Sequence, residues 1–409
     1  MAKLNKHDQR WIYDYAIKES GTVLHLQGLE RGMLPTSVRQ LDMVSKHLGR
    51  AARKIEKLAD IEAARNHKAS AMELYFEAAN AYAFAQNAIL ENNREKKALH
   101  GRVLACDVQV RKLAPYTIDR MEVPWADGVV AANFHVLPGD EPAPCVVYIP
   151  GCDVTKEFYP NPLFNHAHQR GMHIVTVDGP GQGEENLAGV RLTADNYGTA
   201  MSTFFDAVAE RDDVDETKIV MFGFSFGALW AVQSAAAEPR YAALAAPMTT
   251  VSLKNMFAEV PWREPQFSYL TGAQTQEELD AIAEQMDLKY AVPNITCPTL
   301  FANGEYDPRS PLDDVFALYD ALTVEREMWI FEDQHHQIST SGRPGAGMRG
   351  LWMIDLFPNS LDWLRDRIDG VPIERSGEVT YIRDAGQGPY GDDASPSRSW
   401  LDAYGIPEG

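Results

Sequence analysis

The sequence predicts an α/β fold: a mostly parallel sheet flanked by helices, with a helical N-terminal domain and a helical insertion over one end of the sheet. Up to about residue 115 the apolar residues follow a helical period, and beyond it short apolar runs alternate with helical stretches. One long gap between two of these runs carries a helical pattern of its own. Nearly continuous apolar runs are typical of strands buried on both faces of a parallel sheet.

Residues 1–115 are predicted to form the N-terminal helical domain. Between residues 71 and 90 the apolar side chains recur at steps of three and four, which places them along one side of a helix. The stripe consists of Tyr75, Ala78, Tyr82, Ala85 and Ile89. We interpret it as core packing, because aromatic stripes at helical spacing usually face a neighbouring helix.

Residues 116–370 are predicted to form the core. Its first two strands, 117–125 and 129–137, are separated by Ala126-Asp127-Gly128 and read as a hairpin. The later strands are predicted at 144–150, 173–179, 218–225, 241–247, 298–304 and 327–333. The gap at about 248–296 is too long for a bare loop, so we predict a helical lid there. A Gly-, Pro-, Ser- and Asp-rich extension, residues 371–409, follows.

The composition excludes several classes of function. The formal net charge of −20 disfavours binding to nucleic acid or to anionic membrane surfaces. No window has the length and hydropathy of a signal peptide or a membrane span. Four scattered cysteines without CxxC spacing argue against a disulfide framework and fit a cytoplasmic location. We therefore expect a small-molecule substrate, no nucleic acid and no membrane.

The segment Gly223-Phe224-Ser225-Phe226-Gly227 lies between a predicted strand and a predicted helix. In that setting G-x-S-x-G marks a sharp turn that holds a nucleophilic serine above the sheet. The strained turn requires residues without Cβ two positions away on each side. The following helix directs its positive N-terminus at the serine. We predict Ser225 as a nucleophile.

A nucleophilic serine needs a base, and the base needs an orienting acid. Asp307 follows the strand at 298–304, with Glu305 as the rival acid, and His335 and His336 follow the last predicted core strand. The expected chain order is serine, acid, histidine. We assign Asp307 and His336, the latter because it lies further along the loop that must return to Ser225.

The oxyanion hole is expected to use the backbone N–H groups of Cys152 and Phe226, because a second donor comes from the loop after an earlier strand. The loop at 178–184, DGPGQGE, lacks the G-K-[ST] of a phosphate-binding loop. No histidines have H-E-x-x-H spacing, so we predict neither a metal nor a cofactor.

Five segments, GCDVTKE, DGPGQGE, GFSFG, NGEYDP and EDQHH, follow one another in the order found in a known group. The chain resembles the α/β-hydrolases related to 2,6-dihydroxypseudooxynicotine hydrolase, and also the fungal polyketide-shortening hydrolases of pigment pathways. The resemblance covers most of residues 1–370. It implies the α/β-hydrolase fold, a Ser225–Asp307–His336 triad, and Cys152 and Phe226 amides in the oxyanion hole. It also implies a substrate pocket between the helical part and the core, and a homodimer.

This group implies hydrolysis of an ester or of a carbon–carbon bond beside a ketone. We expect Lys156, Glu157, Glu259 and Trp262 as substrate-binding residues, and the apolar lid favours a small apolar, aromatic or polyketide-like substrate. Phe226 departs from the small or aliphatic residue common after the serine, and its side chain should point into the core. A non-catalytic α/β-hydrolase scaffold that acts by binding is the alternative, and a lyase using the same residues is a third reading.

Overall fold

The computed structural model describes residues 22–24, 33–35, 41–126, 128–332, 334, 336, 338 and 353–382. Within these ranges, the side chains of residues 22–24, 33–35, 41, 42, 262 and 353–355 are not described. No helix of the described ranges has the length and hydropathy needed to cross a membrane.

The N-terminal part consists of a small antiparallel sheet and three packed helices. The sheet pairs β1 (Thr22–Leu24) with β2 (Met33–Pro35), and the helices are α1 (Leu41–Ala64), α2 (Lys68–Asn87) and α3 (Arg94–Leu113). Four stripe residues on α2, Tyr75, Ala78, Tyr82 and Ala85, are buried, which confirms the predicted core face, whereas Ile89 lies beyond the helix and is half-buried. The Tyr82 hydroxyl donates to Glu56 of α1 at 2.7 Å, so the aromatic stripe also anchors the helix pair.

In the described part of the chain, the central sheet has nine strands: β3 (Ile118–Trp125), β4 (Gly128–His135), β5 (Ala143–Ile149), β6 (His173–Asp178), β7 (Val214–Gly223), β8 (Leu244–Pro247), β9 (Thr299–Gly304), β10 (Arg326–Phe331) and β11 (Val379–Ile382). Their spatial order is β11-β10-β9-β8-β7-β5-β6-β4-β3. The hairpin strands β3 and β4 are antiparallel to each other, β4 is antiparallel to β6, and the remaining neighbours are parallel. The predicted hairpin and six core strands are therefore confirmed.

Helices cover both faces of this sheet, because alternate strand residues carry apolar side chains to opposite sides. On β5, Val147 and Ile149 belong to the cluster beneath one layer of helices, and Val146 and Tyr148 belong to the other cluster. The helices between the strands are α4 (Gly183–Ala188), α5 (Asn196–Ala209), α6 (Phe226–Ala237), α10 (Leu312–Ala321) and, before β11, α11 (Met353–Ile368), with α7 to α9 in the lid.

The lid is helical, as predicted. It contains α7 (Leu253–Glu259), α8 (Glu264–Thr271) and α9 (Gln276–Gln285), together with three short 3₁₀ turns. Phe257 of α7 and Phe267 of α8 pack against each other, with ring centroids 5.6 Å apart, and both side chains join the main core. The lid is thus fastened to the core by apolar burial. The domain boundaries given above stay a prediction.

Strand β11 was not predicted. It lies in the polar extension and pairs in parallel with β10 along four residues, Val379 to Ile382. The surrounding Gly- and Ser-rich composition conceals a strand this short.

Candidate active site

Ser225 lies at the corner between β7 and α6. Its backbone has φ 58° and ψ −129°, a conformation that costs a non-glycine residue about 1–3 kcal/mol. The Ser225 N–H donates to the Pro247 carbonyl at 3.1 Å, which ties the corner to the end of β8. This is the strained strand-to-helix turn that the G-x-S-x-G pattern predicts.

The two motif glycines are sterically required. A Cβ on Gly223 would lie 2.2 Å from the Gly227 carbonyl oxygen, and one on Gly227 would lie 2.3 Å from the carbonyl oxygen of Ile149. Both distances are far inside van der Waals contact with backbone atoms that cannot turn aside. The glycines allow the start of α6 to pass close to the end of β5, and this sets the position of Ser225.

His336 contacts both Ser225 and Asp307. Its Nε2 lies 2.7 Å from Ser225 Oγ, and its Nδ1 lies 2.6 Å from Asp307 Oδ2. All three side chains are buried. Asp307 follows β9, and its other oxygen accepts the backbone N–H of Arg309 at 2.8 Å. A carboxylate on one ring nitrogen and a hydroxyl on the other is the arrangement that activates a serine.

The sequence left two alternatives open, Glu305 as the acid and His335 as the base, and the structure describes only the first of them. Asp307, and not Glu305, is the acid bonded to His336. The backbone N–H of Glu305 is instead bonded to the Phe331 carbonyl on neighbouring β10. His335 lies outside the described residues.

Burial lowers the pKa of the His336 imidazole below its usual value of 6.5, and the Asp307 carboxylate partly offsets this. The positive charges of Arg309 and Arg263 lower the pKa further. An imidazole must be unprotonated to accept a proton, so this environment favours at neutral pH the form of His336 that can accept one.

The loop after β5 contacts the serine. A Cβ on Gly151 would lie 3.5 Å from Ser225 Cβ, so the next residue, Cys152, follows directly beside the serine. Phe226 is the first residue of α6, where backbone N–H groups have no acceptor within the helix. The Phe226 side chain is buried against Trp230, at 4.9 Å between ring centroids, which confirms that it points into the core.

The lid is bonded to the same loop, and this contact was not predicted. Arg263 Nη2 donates to Asp153 Oδ2 at 3.3 Å, and Gln266 Nε2 donates to the Cys152 carbonyl at 3.0 Å. Arg263 is buried, and its guanidinium also donates to Gln266. Because Arg263 and Asp153 are 110 residues apart, no local pattern could have indicated the pair.

Lys156 and Glu157 are placed differently from our prediction. Both side chains are buried, and Lys156 Nζ lies 3.2 Å from Asp178 and 2.7 Å from Glu184, besides its contact with Glu157. Burial opposes the ammonium charge, but these three carboxylates raise the pKa of Lys156. The two side chains form a structural ion-pair cluster, and this corrects the expectation that they face a substrate.

The carboxylates of Glu157, Asp178 and Glu184 converge closely enough to hold a cation. Lys156 already supplies that cation, and Arg120 adds a second positive charge through its contact with Glu184. Burial alone would raise the pKa of Glu157, but Lys156 lowers it to about 2. Each of the three carboxylates therefore contacts Lys156.

Of the other two predicted binding residues, Glu259 and Trp262, the structure describes the side chain of Glu259. Glu259 ends α7 and is exposed, unlike the buried Ser225 and His336. The backbone of Trp262 forms part of the 3₁₀ turn Pro261–Arg263, and its side chain lies outside the described part of the chain.

A small cavity of about 30 Å³ lies where α2 and α3 meet the loop after β5 and lid helix α8. Cys152 lines it, and Ser225 does not. The cavity therefore borders the loop beside the serine from the side of the N-terminal helices. The residues around it are Ala83, Gln86, Asn87, Lys96, Cys152, Asp153, Val154, Thr155, Gly181, Gln182, Gly183, Asn186, Tyr269 and Leu270.

Two family models match the chain. The FrsA-like esterase model matches residues 55–261, a little over half of the chain, and the acetyl xylan esterase (AXE1) model matches residues 199–343. The first match begins within α1, includes α2, α3 and the serine corner, and ends in the lid.

Curated relatives are hydrolases and esterases. The 2,6-dihydropseudooxynicotine hydrolase of Paenarthrobacter nicotinovorans is 28% identical over 284 residues, covering 68% of this chain and 76% of that protein. The esterase FrsA of Yersinia pestis is 28% identical over 176 residues, which cover 42% of this chain and 41% of the esterase.

Solved structures support the fold. The 2,6-dihydroxy-pseudo-oxynicotine hydrolase structure superposes with a TM-score of 0.70 at 24% identity, covering 85% of this chain and 93% of that one. AbyA5 superposes with a TM-score of 0.57 at 19% identity, covering 78% of this chain and 92% of AbyA5. At these identities the likeness concerns the α/β-hydrolase fold alone.

Proposed function

Since the chain belongs to the FrsA-like esterase family and is a hydrolase of the α/β-hydrolase superfamily, we propose that Ser225, His336 and Asp307 are its catalytic triad. The single observation that carries this proposal is the pair of short contacts of His336, to Ser225 at 2.7 Å and to Asp307 at 2.6 Å.

In the proposed reaction, Ser225 Oγ attacks the substrate carbonyl while His336 Nε2 takes the hydroxyl proton. Asp307 holds the other ring nitrogen and stabilises the imidazolium that forms. The backbone N–H groups of Cys152 and Phe226 bind the oxygen that becomes negative. His336 then returns the proton to the leaving group, and a water molecule releases the acyl group from Ser225.

The proposed substrate is a small, mostly apolar molecule, aromatic or polyketide-like, with an ester or a ketone-activated carbon–carbon bond. Support comes from the buried serine and from the aromatic side chains that connect it to the lid, since Phe226 lies 4.5 Å from Phe267 between ring centroids. One relative is named for hydrolysis of 2,6-dihydropseudooxynicotine and another as an esterase. Carbon–carbon cleavage would also require His336 to protonate a carbanion.

The test is intact-mass analysis after treatment with a fluorophosphonate probe. The wild type is expected to gain one adduct, Ser225→Ala none, and Asp307→Asn and His336→Ala adducts that form at least a hundredfold more slowly. Ser234→Ala is the matched control, because Ser234 is a buried serine on α6 that donates to the Trp230 carbonyl and should not affect labelling.

Absence of an adduct on the folded wild type would overturn the triad and favour the non-catalytic scaffold. Unchanged labelling of His336→Ala would move the base to His335. Product formation without incorporation of oxygen from labelled water would indicate a lyase.

We also propose that the protein is a homodimer and that it is located in the cytoplasm. Sedimentation of the purified chain tests the first proposal, and cell fractionation tests the second.

A further inference from the structure

The cavity beside Cys152 contains a lysine that the proposed triad does not use. Lys96 is buried near the start of α3, and its Nζ donates to the carbonyls of Ile89 at 2.9 Å and Gln86 at 3.2 Å. An ammonium group has three N–H donors, so one remains after these two bonds. The ring of Tyr269, on lid helix α8, lies 4.4 Å from Nζ.

A buried acceptor in the same cavity wall has no partner. Gln86 Nε2 lies 3.0 Å from His100 Nδ1, but Gln86 Oε1 is buried and makes no hydrogen bond within the described part of the chain. An unpaired buried polar atom costs about 1–3 kcal/mol. A ligand that donates to Gln86 and also pairs with Lys96 would remove this cost.

We propose that this cavity is a subsite for a hydroxyl group of the substrate, held by Lys96 and by Gln86 Oε1, and this assignment rests on the proposed hydrolase function. A hydroxyl is both a donor and an acceptor, which matches one spare N–H and one unpaired carbonyl oxygen. A volume of about 30 Å³ suits a hydroxyl and not an aromatic ring.

The unpaired acceptor favours a neutral hydroxyl over an anion. Gln86 Oε1 needs a hydrogen-bond donor, and a carboxylate has no proton to donate. Asp153 also lines the cavity, but its carboxylate already accepts from Arg263. Burial also lowers the pKa of Lys96 to about 7, so the lysine exists in both protonation states near neutrality. The ammonium form supplies the spare N–H that the hydroxyl accepts, while the hydroxyl donates its own proton to Gln86 Oε1.

The structural alternative is that Lys96 only satisfies carbonyls at the end of α2 and that a single water fills the cavity. This alternative predicts no preference among substrates. The experiment therefore compares ester pairs that differ by one hydroxyl and asks whether Lys96 and Gln86 create the difference.

The panel consists of p-nitrophenyl hexanoate and its 2-, 3- and 6-hydroxy derivatives, with 1-naphthyl hexanoate and its 5-hydroxynaphthyl counterpart for the leaving side. One hydroxylated ester is expected to exceed its parent at least tenfold in kcat/KM, mainly through KM. Lys96→Met and Gln86→Met are expected to bring this ratio to within twofold of one. Lys97→Met, at the exposed neighbouring position on α3, should keep it.

Binding to Ser225→Ala separates this proposal from the triad proposal, because that variant cannot form an acyl-enzyme. Calorimetry should show one hydroxylated ester binding at least tenfold more tightly than its deoxy parent. If no ester is turned over, the corresponding hydroxylated and deoxy acids are compared in the same way. The difference should vanish in Ser225→Ala/Lys96→Met. Equal binding of both compounds, or a preference that survives both Lys96→Met and Gln86→Met in folded protein, would leave only a water in the cavity and overturn the subsite.

Discussion

Phe226, the residue after the serine, packs against Phe267 of the lid with ring centroids 4.5 Å apart. The serine corner and the lid therefore share one aromatic cluster. Phe226→Ala should lower the free energy of unfolding by about 3–5 kcal/mol, because the lost ring leaves a cavity between α6 and α8. Urea unfolding measures this. Phe164→Ala, at an exposed phenylalanine, should change it by less than about 0.5 kcal/mol, and equal losses would contradict the packing argument.

Gly227→Ala should prevent the serine corner from forming, because its Cβ would lie 2.3 Å from the Ile149 carbonyl oxygen. We expect little folded protein and no fluorophosphonate labelling. Gly101→Ala has the opposite expectation: nothing lies within 4 Å of that Cβ on α3, and alanine favours a helix by about 1 kcal/mol. Expression yield and thermal unfolding compare the two, and a well-folded, labelled Gly227→Ala would contradict the prediction.

Lys156→Met should be strongly destabilising, by about 3–5 kcal/mol, because it leaves Glu157 and Asp178 buried without their counter-ion. Lys254→Met is the matched control, since Lys254 pairs with Glu284 at the surface, where an ion pair contributes only about 0–1 kcal/mol. Denaturant unfolding at neutral pH measures both. A small effect at Lys156 would mean that water reaches the cluster.

Acid should destabilise the fold through two buried histidines. Burial lowers the pKa of His100 to about 4 and of His135 to about 3. Below pH 6.5 the unfolded chain therefore binds protons that the folded chain does not, and stability falls as pH falls. Each histidine should contribute a slope of about 1.4 kcal/mol per pH unit down to its folded pKa. Unfolding of His100→Gln at several pH values should show a flatter dependence, and an unchanged slope would exclude His100 as a contributor.

The rate should depend on the pKa of His336. Burial and the charges of Arg309 and Arg263 lower this pKa, so kcat/KM should fall only at a pH below 6.5. Arg309→Gln removes one positive charge and should move the acid limb of the pH–rate profile to higher pH. Arg240→Gln, which removes an exposed arginine paired with Glu238 and Asp206, should leave the limb in place. A limb unmoved by Arg309→Gln would rule out this electrostatic effect.

The contacts among Ser225, Asp307 and His336 could be predicted because each residue follows a buried strand, and parallel strands end at the same edge of a sheet. The placement of Lys156 and Glu157 could not. Their position after the GCDVT loop says nothing about which way the side chains turn, and their carboxylate partners Asp178 and Glu184 belong to later segments. The sequence likewise could not show that Gln86 Oε1 lacks a partner, because this depends on how α2, α3 and the lid pack together.

The pairing of β11 with β10 has a consequence for how the chain can be shortened. A gene cut at residue 370 would leave one edge of β10 bare, along residues whose side chains from Met328 to Phe331 are buried. A bare, apolar edge strand is a template for other chains and promotes aggregation. Four residues of an otherwise polar tail thus cover the edge of β10. We expect a shortened form of this hydrolase to resist aggregation only if it extends through Ile382.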